Sequence, residues 1–122
     1  MISRPPSDSN IVSISTADIN GTLVLNVLDN LTIYSKFDTL TSHVKEALEK
    51  GVKSIAVSFT KESYLNTKLI SNLVQYWKLA QDKGATFGLI RPNEDILNAL
   101  TTIGLADLIV IYEDEDEVGR ST

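Results

Sequence analysis

The segment SIAVSFTKESYLNTKLISNLV, Ser54 to Val74, contains the junction from which the fold can be predicted. SIAVSF is a short apolar run rich in β-branched side chains, which is typical of a buried strand. The apolar residues that follow recur at helical spacing and are Leu69, Ile70, Leu73, Val74, Trp77 and Ala80. The segment therefore predicts a strand, a short loop and an amphipathic helix that begins near Thr67 and ends at Gly84. We expect Trp77, on the apolar stripe, to be largely buried, and Tyr76, nearer the opposite face, to be exposed.

Upstream of this junction the sequence predicts a β-hairpin. Alternating apolar runs over residues 11–17 and 22–28 flank the pair Asn20-Gly21. A type I′ turn needs positive φ at both central residues, and Asn-Gly supplies them at low cost. We expect residues 12–17 and 23–28 to pair as antiparallel neighbours.

Two further helices and two further strands complete the predicted fold. Ser35, with Asp38 three residues later, predicts a capped helix that ends at Gly51. ATFGLI predicts a strand, Asn93 is the expected cap of a helix over residues 94–103, and LIVIY after Gly104 predicts the last strand. The order β-β-α-β-α-β-α-β indicates an α/β fold with helices packed on a mixed sheet. We expect residues 1–10 to be a flexible lead, 11–117 the domain, and 118–122 a flexible tail.

Composition excludes several function classes. The chain has 122 residues, no cysteine and a formal net charge of -5. Negative charge argues against nucleic acid as a partner, since phosphates require a basic surface. No apolar run reaches the roughly 20 residues that span a bilayer, so we expect no membrane insertion and a cytoplasmic location.

The residues that commonly carry catalysis or bind metal are poorly arranged for it. His43 has no second histidine at ligand spacing, and we interpret it as a surface residue. The acidic run Glu113 to Glu117 lacks the glycine and spaced ligands of a calcium loop, so we predict a solvated, metal-free segment. Phosphate-binding and nucleophile-elbow motifs are missing. We expect no enzyme activity, no cofactor and no metal.

The start of the second helix is different. A helix N-terminus alone accounts for three of its residues: Asn66 as the N-cap, and Leu65 and Ile70 as a hydrophobic staple. A helix N-terminus does not require Thr67. Lys68 is unfavourable there, because a cation in the first turn opposes the helix dipole. A phosphate on Thr67 would place an anion in the first turn, where its interaction with the helix dipole is favourable. From the residues alone, Thr67 is a candidate phosphorylation site, and a helix start with no modification is the alternative.

The order β-β-α-β-α-β-α-β, over roughly residues 11–117, resembles the STAS domain, the fold of bacterial anti-sigma factor antagonists and of the cytoplasmic ends of sulphate transporters. In that family a strand of the type IVLDLS leads through a short loop to a D-S-S-G-L motif that opens a helix. Here IAVSFT begins at Ile55 and NTKLI begins at Asn66. In this register Thr67 stands at the phosphorylatable position, and Asn66, Lys68 and Leu69 replace the family's Asp, second Ser and Gly. The later segments GLIRP and IGLADLIVIY resemble the family as well.

The resemblance implies a non-enzymatic partner-switching protein. Unmodified, such a domain binds a serine/threonine kinase that also serves as an anti-sigma factor, and phosphorylation breaks the contact. The expected partner-binding residues are Lys61, Tyr64, Leu65, Asn66, Lys68, Asn72, Gln75 and Tyr76. An alternative interpretation keeps the fold but makes the chain a non-phosphorylated STAS scaffold or subunit of a signalling assembly or transporter complex. A homodimer is left open by the sequence.

Overall fold

The computed structural model describes residues 11–63 and 67–118, and within them strands and helices alternate as predicted. The predicted lead, the residues Tyr64, Leu65 and Asn66, and positions 119–122 of the predicted tail lie outside the described residues. The strands are β1 (Ile14–Ile19), β2 (Thr22–Val27), β3 (Ser54–Ser58), β4 (Thr86–Ile90) and β5 (Val110–Tyr112). The helices are α1 (Asp38–Glu49), α2 (Thr67–Asp82) and α3 (Glu94–Thr102). Short 3-10 turns lie at Leu105–Asp107 and Glu115–Glu117.

The hairpin at Asn20-Gly21 is confirmed. Asn20 has φ 53° and Gly21 has φ 88°, as a type I′ turn requires. β1 and β2 pair antiparallel from Ile14 opposite Val27 to Ile19 opposite Thr22. The first strand begins later than predicted, because Ile11 and Val12 pair with Lys36 and not with β2.

The sheet determines where the loops meet. Its strand order is β1-β2-β3-β4-β5, and every pair after the hairpin is parallel. Parallel strands end at the same side of a sheet, so the segments that follow β2, β3, β4 and β5 converge there. We call this side the carboxyl edge.

The core lies between the sheet and the helices. Side chains of β2, β3 and β4 alternate between two faces, and one face packs against all three helices in a single apolar cluster. The other face carries a smaller cluster, formed by Val24, Ala56, Ile90, Tyr112 and Val118. Val118 is fully buried there and its carbonyl accepts a hydrogen bond from Asn20 Nδ2 at 3.1 Å, so the folded domain includes the first residue of the predicted tail.

The prediction for Tyr76 is wrong, and the prediction for Trp77 is confirmed. Tyr76 is 0 % exposed, and Trp77 is largely buried, packed against the core with its indole nitrogen inaccessible to solvent. The buried face of α2 follows the spacing of Leu69, Leu73, Tyr76 and Ala80, while Ile70, Val74 and Trp77 lie on its flank. The predicted stripe was therefore centred about one residue away from the face that meets the sheet.

The predicted helix cap at Ser35 is also wrong, whereas that at Asn93 is confirmed. α1 begins after Phe37, and no side chain caps it. Ser35 Oγ instead accepts a hydrogen bond from Thr32 N at 2.8 Å and closes a turn within the loop before the helix. Asn93 Oδ1 accepts from Ile96 N at 3.0 Å, as an N-cap does.

Replacement of Gly88 by alanine tests the packing of β4 on β5. A Cβ at this position would lie 2.8 Å from Tyr112 Cε2 and 2.8 Å from the Val110 carbonyl oxygen. We expect Gly88→Ala to lower the free energy of unfolding by about 1–3 kcal/mol, measured by urea denaturation. Thr86→Ala, at an exposed position of the same strand, should change it by less than about 0.5 kcal/mol. Equal effects of the two variants would contradict the close packing.

Candidate functional site

Two loops and one helix start lie side by side at the carboxyl edge. The β2–α1 loop covers residues 28–37, the β3–α2 loop begins at Phe59, and α2 begins at Thr67. The parallel pairing of β2 with β3 brings the two loops together. Thr67 thus lies on the part of the molecule where segments from separate strands converge.

Ser63 joins the two loops through a directed chain of hydrogen bonds. Its Oγ accepts from the buried Leu31 N at 3.1 Å. Thr60 Oγ1 donates its proton to Asn30 Oδ1. In the 2.9 Å hydrogen bond between Thr60 Oγ1 and Ser63 Oγ, Ser63 is therefore the donor. Ser63 is 5 % exposed, which makes it a structural anchor and not a modification site. These hydrogen bonds hold the β2–α1 loop against the segment that follows β3.

Asn93 ties a third segment to the same anchor. Its Nδ2 donates to the Ser63 carbonyl oxygen at 2.8 Å while its Oδ1 caps α3. One side chain therefore satisfies a helix N-terminus and the loop after β3. The start of α3 and the β3–α2 loop are held in a fixed relation.

The electrostatics at the start of α2 differ from those of the other two helices. The first turn of α1 contains Asp38 and that of α3 contains Glu94 and Asp95, but the first turn of α2 contains no acidic residue. Thr67 is the first helical residue and is exposed, as is Lys68. The positive end of the α2 dipole thus lacks the carboxylate that complements it in α1 and α3.

An open groove of about 500 Å³ separates the start of α1 from the start of α2. It is lined by Lys36, Phe37, Asp38, Thr41, Ser42, Lys68 and Asn72. Two lysines against one aspartate give this groove a local excess of positive charge on a chain of net charge -5. Such a surface favours an acidic partner.

The structure separates the residues predicted to bind a partner. Lys68 and Asn72 line the groove, and Gln75 is exposed further along α2. Lys61 lines another concavity, at the start of α3, together with Glu62, Ser63, Asn93, Glu94 and Asp95. Tyr76 is buried and contributes nothing to a contact surface. Tyr64, Leu65 and Asn66 lie outside the described residues.

Tyr76 has a packing role. Its hydroxyl lies 2.6 Å from Thr41 Oγ1, and its ring meets that of Phe87 edge to face at a centroid distance of 6.0 Å. Burial raises the pKa of the Tyr76 phenol, and the charge of Asp38 raises it further, although the hydrogen bond from Thr41 lowers it. Tyr76 therefore joins α2 to α1 beside the groove.

The acidic run is folded and not a loose tail. Asp114 Oδ1 accepts from Glu117 N at 3.2 Å, and Glu117 Oε1 accepts from Glu113 N at 2.8 Å. Within residues 11–63 and 67–118, no group of three or more His, Asp or Glu side chains could hold a metal ion. His43 is half-buried on α1. In the part of the chain that is described, none of the helices has the length and apolar character needed to cross a bilayer.

Sequence reasoning missed Ser63, Thr60, Asn30 and the second role of Asn93. Each is a small polar residue that follows a predicted strand, which was a usable signal once the strands were taken as parallel neighbours. The hydrogen bonds that join them span about 30 residues of sequence and depend on the sheet order, which the strand pattern alone does not define.

Residues 13–118 match the family model of the STAS domain. The chain belongs to the STAS family. Comparison with curated proteins gave no significant match. The order of strands and helices described above is the STAS fold.

Several solved structures share this fold. The NMR structure of TM1081 has a TM-score of 0.71 at 20 % identity, covering 87 % of this chain and 85 % of that chain. The crystal structure of TM1081 from Thermotoga maritima, a proposed anti-sigma factor antagonist, has a TM-score of 0.69 at 19 % identity, with coverages of 88 % and 92 %. The Bacillus cell fate determinant SpoIIAA in its phosphorylated form has a TM-score of 0.66 at 11 % identity, with coverages of 88 % and 98 %. At these identities the likeness shows the fold alone.

Removal of the Ser63 hydroxyl tests the anchor between the loops. Ser63→Ala leaves the buried Leu31 N–H without this acceptor, and we expect a loss of about 1–3 kcal/mol in the free energy of unfolding. Hydrogen exchange at the Leu31 amide should accelerate with it. Ser71→Ala, at an exposed position of α2, is the matched control and should change stability by less than about 0.5 kcal/mol. Unchanged exchange at Leu31 in Ser63→Ala would contradict the anchor.

Replacement of Tyr76 by phenylalanine tests the buried phenol. At neutral pH Tyr76→Phe should cost about 1 kcal/mol, since the bond to Thr41 is lost. The folded-state pKa is raised above its ordinary value of 10.0, so the phenol's contribution is complete below pH 10 and is lost as pH rises towards the folded pKa. Urea denaturation between pH 8 and pH 11 should therefore show the difference between wild type and variant shrinking above pH 10. A constant difference would contradict the account.

Proposed function

We propose that this STAS protein is a non-enzymatic, anti-sigma factor antagonist-like regulator whose partner contact is switched by phosphorylation of Thr67. The proposed partner is a serine/threonine kinase that also acts as an anti-sigma factor. Support comes from family membership and from structural neighbours that include the anti-sigma factor antagonist SpoIIAA, solved in phosphorylated and unphosphorylated forms. The proposed process is signal transduction in a bacterial cytoplasm.

The observation that carries the proposal is the position of Thr67. An exposed hydroxyl opens a helix of 16 residues whose first turn contains no acidic residue. A phosphate there would lie at the positive end of the helix and next to Lys68, where the helix dipole favours negative charge. The modified state would therefore be stable in the folded protein.

The proposed switch acts through the charge of the groove. Unmodified, the groove presents Lys36 and Lys68 to a partner with an acidic surface. Phosphorylation of Thr67 adds about two negative charges next to Lys68 and cancels the local positive excess. The phosphate then repels the carboxylates of the same acidic partner. On binding, those carboxylates would also lose their hydration without forming an ion pair with the lysines.

One observation favours the alternative, a STAS scaffold or subunit that is never phosphorylated. Leu69, which replaces the family's Gly, is fully buried in the core and contributes to packing. The close backbone approach that a glycine permits is not available at that residue. The scaffold interpretation predicts partner binding that does not depend on the charge at position 67.

Variants of Thr67 separate the two functions. We expect Thr67→Glu to weaken binding to the partner at least about tenfold, or 1.4 kcal/mol, and Thr67→Ala to leave it unchanged. The partner is first identified by a pull-down with the unmodified chain from native lysate, and its affinity for each purified variant is then measured by calorimetry. Mass spectrometry of the chain from the same cells should find phosphate on Thr67.

Stability supplies the internal control for this experiment. Thr67→Glu places an anion at the start of α2 and should raise the free energy of unfolding by about 0.3–1 kcal/mol. Weaker binding of a more stable protein cannot result from unfolding. Ser71→Glu, at an exposed position one turn later, should weaken binding less than Thr67→Glu. Equal binding by Thr67→Glu and Thr67→Ala, with no phosphate on Thr67, would replace the switch with the scaffold.

A further inference from the structure

We infer that the β2–α1 loop supplies a second half of the partner-binding surface, in which Leu28, Ile33 and Tyr34 enter an apolar depression on the partner. The inference rests on the proposed function, because it assigns more of the surface to the same partner. The occupant is a protein with an apolar depression flanked by carboxylates.

Exposed apolar side chains are concentrated in this loop. Among the described residues, five large apolar side chains are exposed, and three of them are Leu28 at 56 %, Ile33 at 57 % and Tyr34 at 69 %. The other two, Ile103 and Leu108, follow α3 and precede β5, at the opposite edge of the sheet. Exposed apolar and aromatic side chains that cluster on one surface are characteristic of protein interaction sites.

The loop holds these side chains outward with an ordered backbone. Leu28 N donates to the Ser13 carbonyl oxygen at 2.9 Å, and Val12 N donates to the Lys36 carbonyl oxygen at 3.0 Å. The two ends of the loop are thus tied to the segment before β1, and Thr32 N to Ser35 Oγ closes its tip. A partner that binds a loop already ordered by such bonds loses little conformational entropy.

The loop is continuous with the start of α2. Ser63 holds Leu31 of the loop and lies in the segment that leads towards Thr67. Lys36, at the end of the loop, faces the same groove as Lys68 of α2. A stable protein interface buries about 800 Å² on each partner, which is large enough to include both the start of α2 and the adjoining loop.

Charge favours a different protein over a second copy of this chain. A two-fold symmetric contact places the same surface on both sides of the interface. A two-fold contact centred on the groove would bring Lys36 and Lys68 of one copy towards Lys36 and Lys68 of the other. Like charges opposed across an interface are destabilising, whereas an acidic partner complements them.

Site-specific photo-crosslinking of the full chain tests the inference. The photoreactive residue p-benzoylphenylalanine replaces Tyr34 on the loop, Ser71 on α2 or Leu108 at the opposite edge, in cells that contain the native partner. Leu108, 54 % exposed, is the matched control for Tyr34. We expect positions 34 and 71 to crosslink to one and the same polypeptide, identified by mass spectrometry, and position 108 not to do so. With that polypeptide purified, Tyr34→Ala should weaken binding at least about tenfold and Leu108→Ala should not.

The inference is overturned if position 34 crosslinks to nothing, to a second copy of this chain or to a polypeptide that position 71 does not reach. It is also overturned if Tyr34→Ala and Leu108→Ala bind the shared polypeptide equally. The switch at Thr67 is read separately, by repeating the crosslinking in Thr67→Glu. If Thr67→Glu crosslinks to the shared polypeptide in the same yield as the unsubstituted chain, the result supports the proposed binding surface and refutes the switch.

Discussion

The hydroxyl of Ser63 is the contact on which the arrangement of the carboxyl edge depends. It accepts a hydrogen bond from the buried Leu31 N–H and donates one to Thr60 Oγ1. The carbonyl oxygen of the same residue accepts a hydrogen bond from Asn93 Nδ2. A buried amide without an acceptor costs about 1–3 kcal/mol, so these bonds strongly favour one relative position of the loops. The parallel sheet brings the loops close together, and Ser63 fixes their relation. The β2–α1 loop, the segment that follows β3 and the start of α3 are held together for that reason.

Local signals in the sequence predicted those parts of the fold that local contacts determine. The turn at Asn20-Gly21 depends on two residues with positive φ, and the cap at Asn93 depends on an amide three residues away. Both can be recognised without knowledge of the tertiary structure. The α/β order follows in the same way from strand and helix periodicity.

Non-local contacts account for what the sequence did not predict. Ser35 resembled a cap, but its hydroxyl serves Thr32 in the loop, since α1 begins later than the capping pattern implied. The buried face of α2 includes Tyr76 because Phe87 and Thr41, from other elements, receive its ring and its hydroxyl. Periodicity cannot distinguish two stripes one residue apart when both are apolar. The role of Ser63 depends on strand neighbours far away in sequence.

The start of α2 combines features that stability alone does not favour. A lysine and an exposed threonine lie where α1 and α3 have carboxylates. A carboxylate in that turn would stabilise the helix by a few tenths of a kcal/mol to about 1 kcal/mol. With no carboxylate in that turn, an added anion or an acidic partner can complement the positive end of the dipole, but not both at once. This competition is the physical basis of the proposed switch.

Hydrogen exchange on the chain alone and on its complex with the identified partner tests the central claim most directly, namely that one surface at the carboxyl edge binds the partner. The account predicts that binding slows exchange in residues 28–37 and in the first turns of α2. It predicts no change around Ile103 and Leu108, at the opposite edge. Protection confined to that opposite edge, with the β2–α1 loop and α2 unchanged, would contradict it.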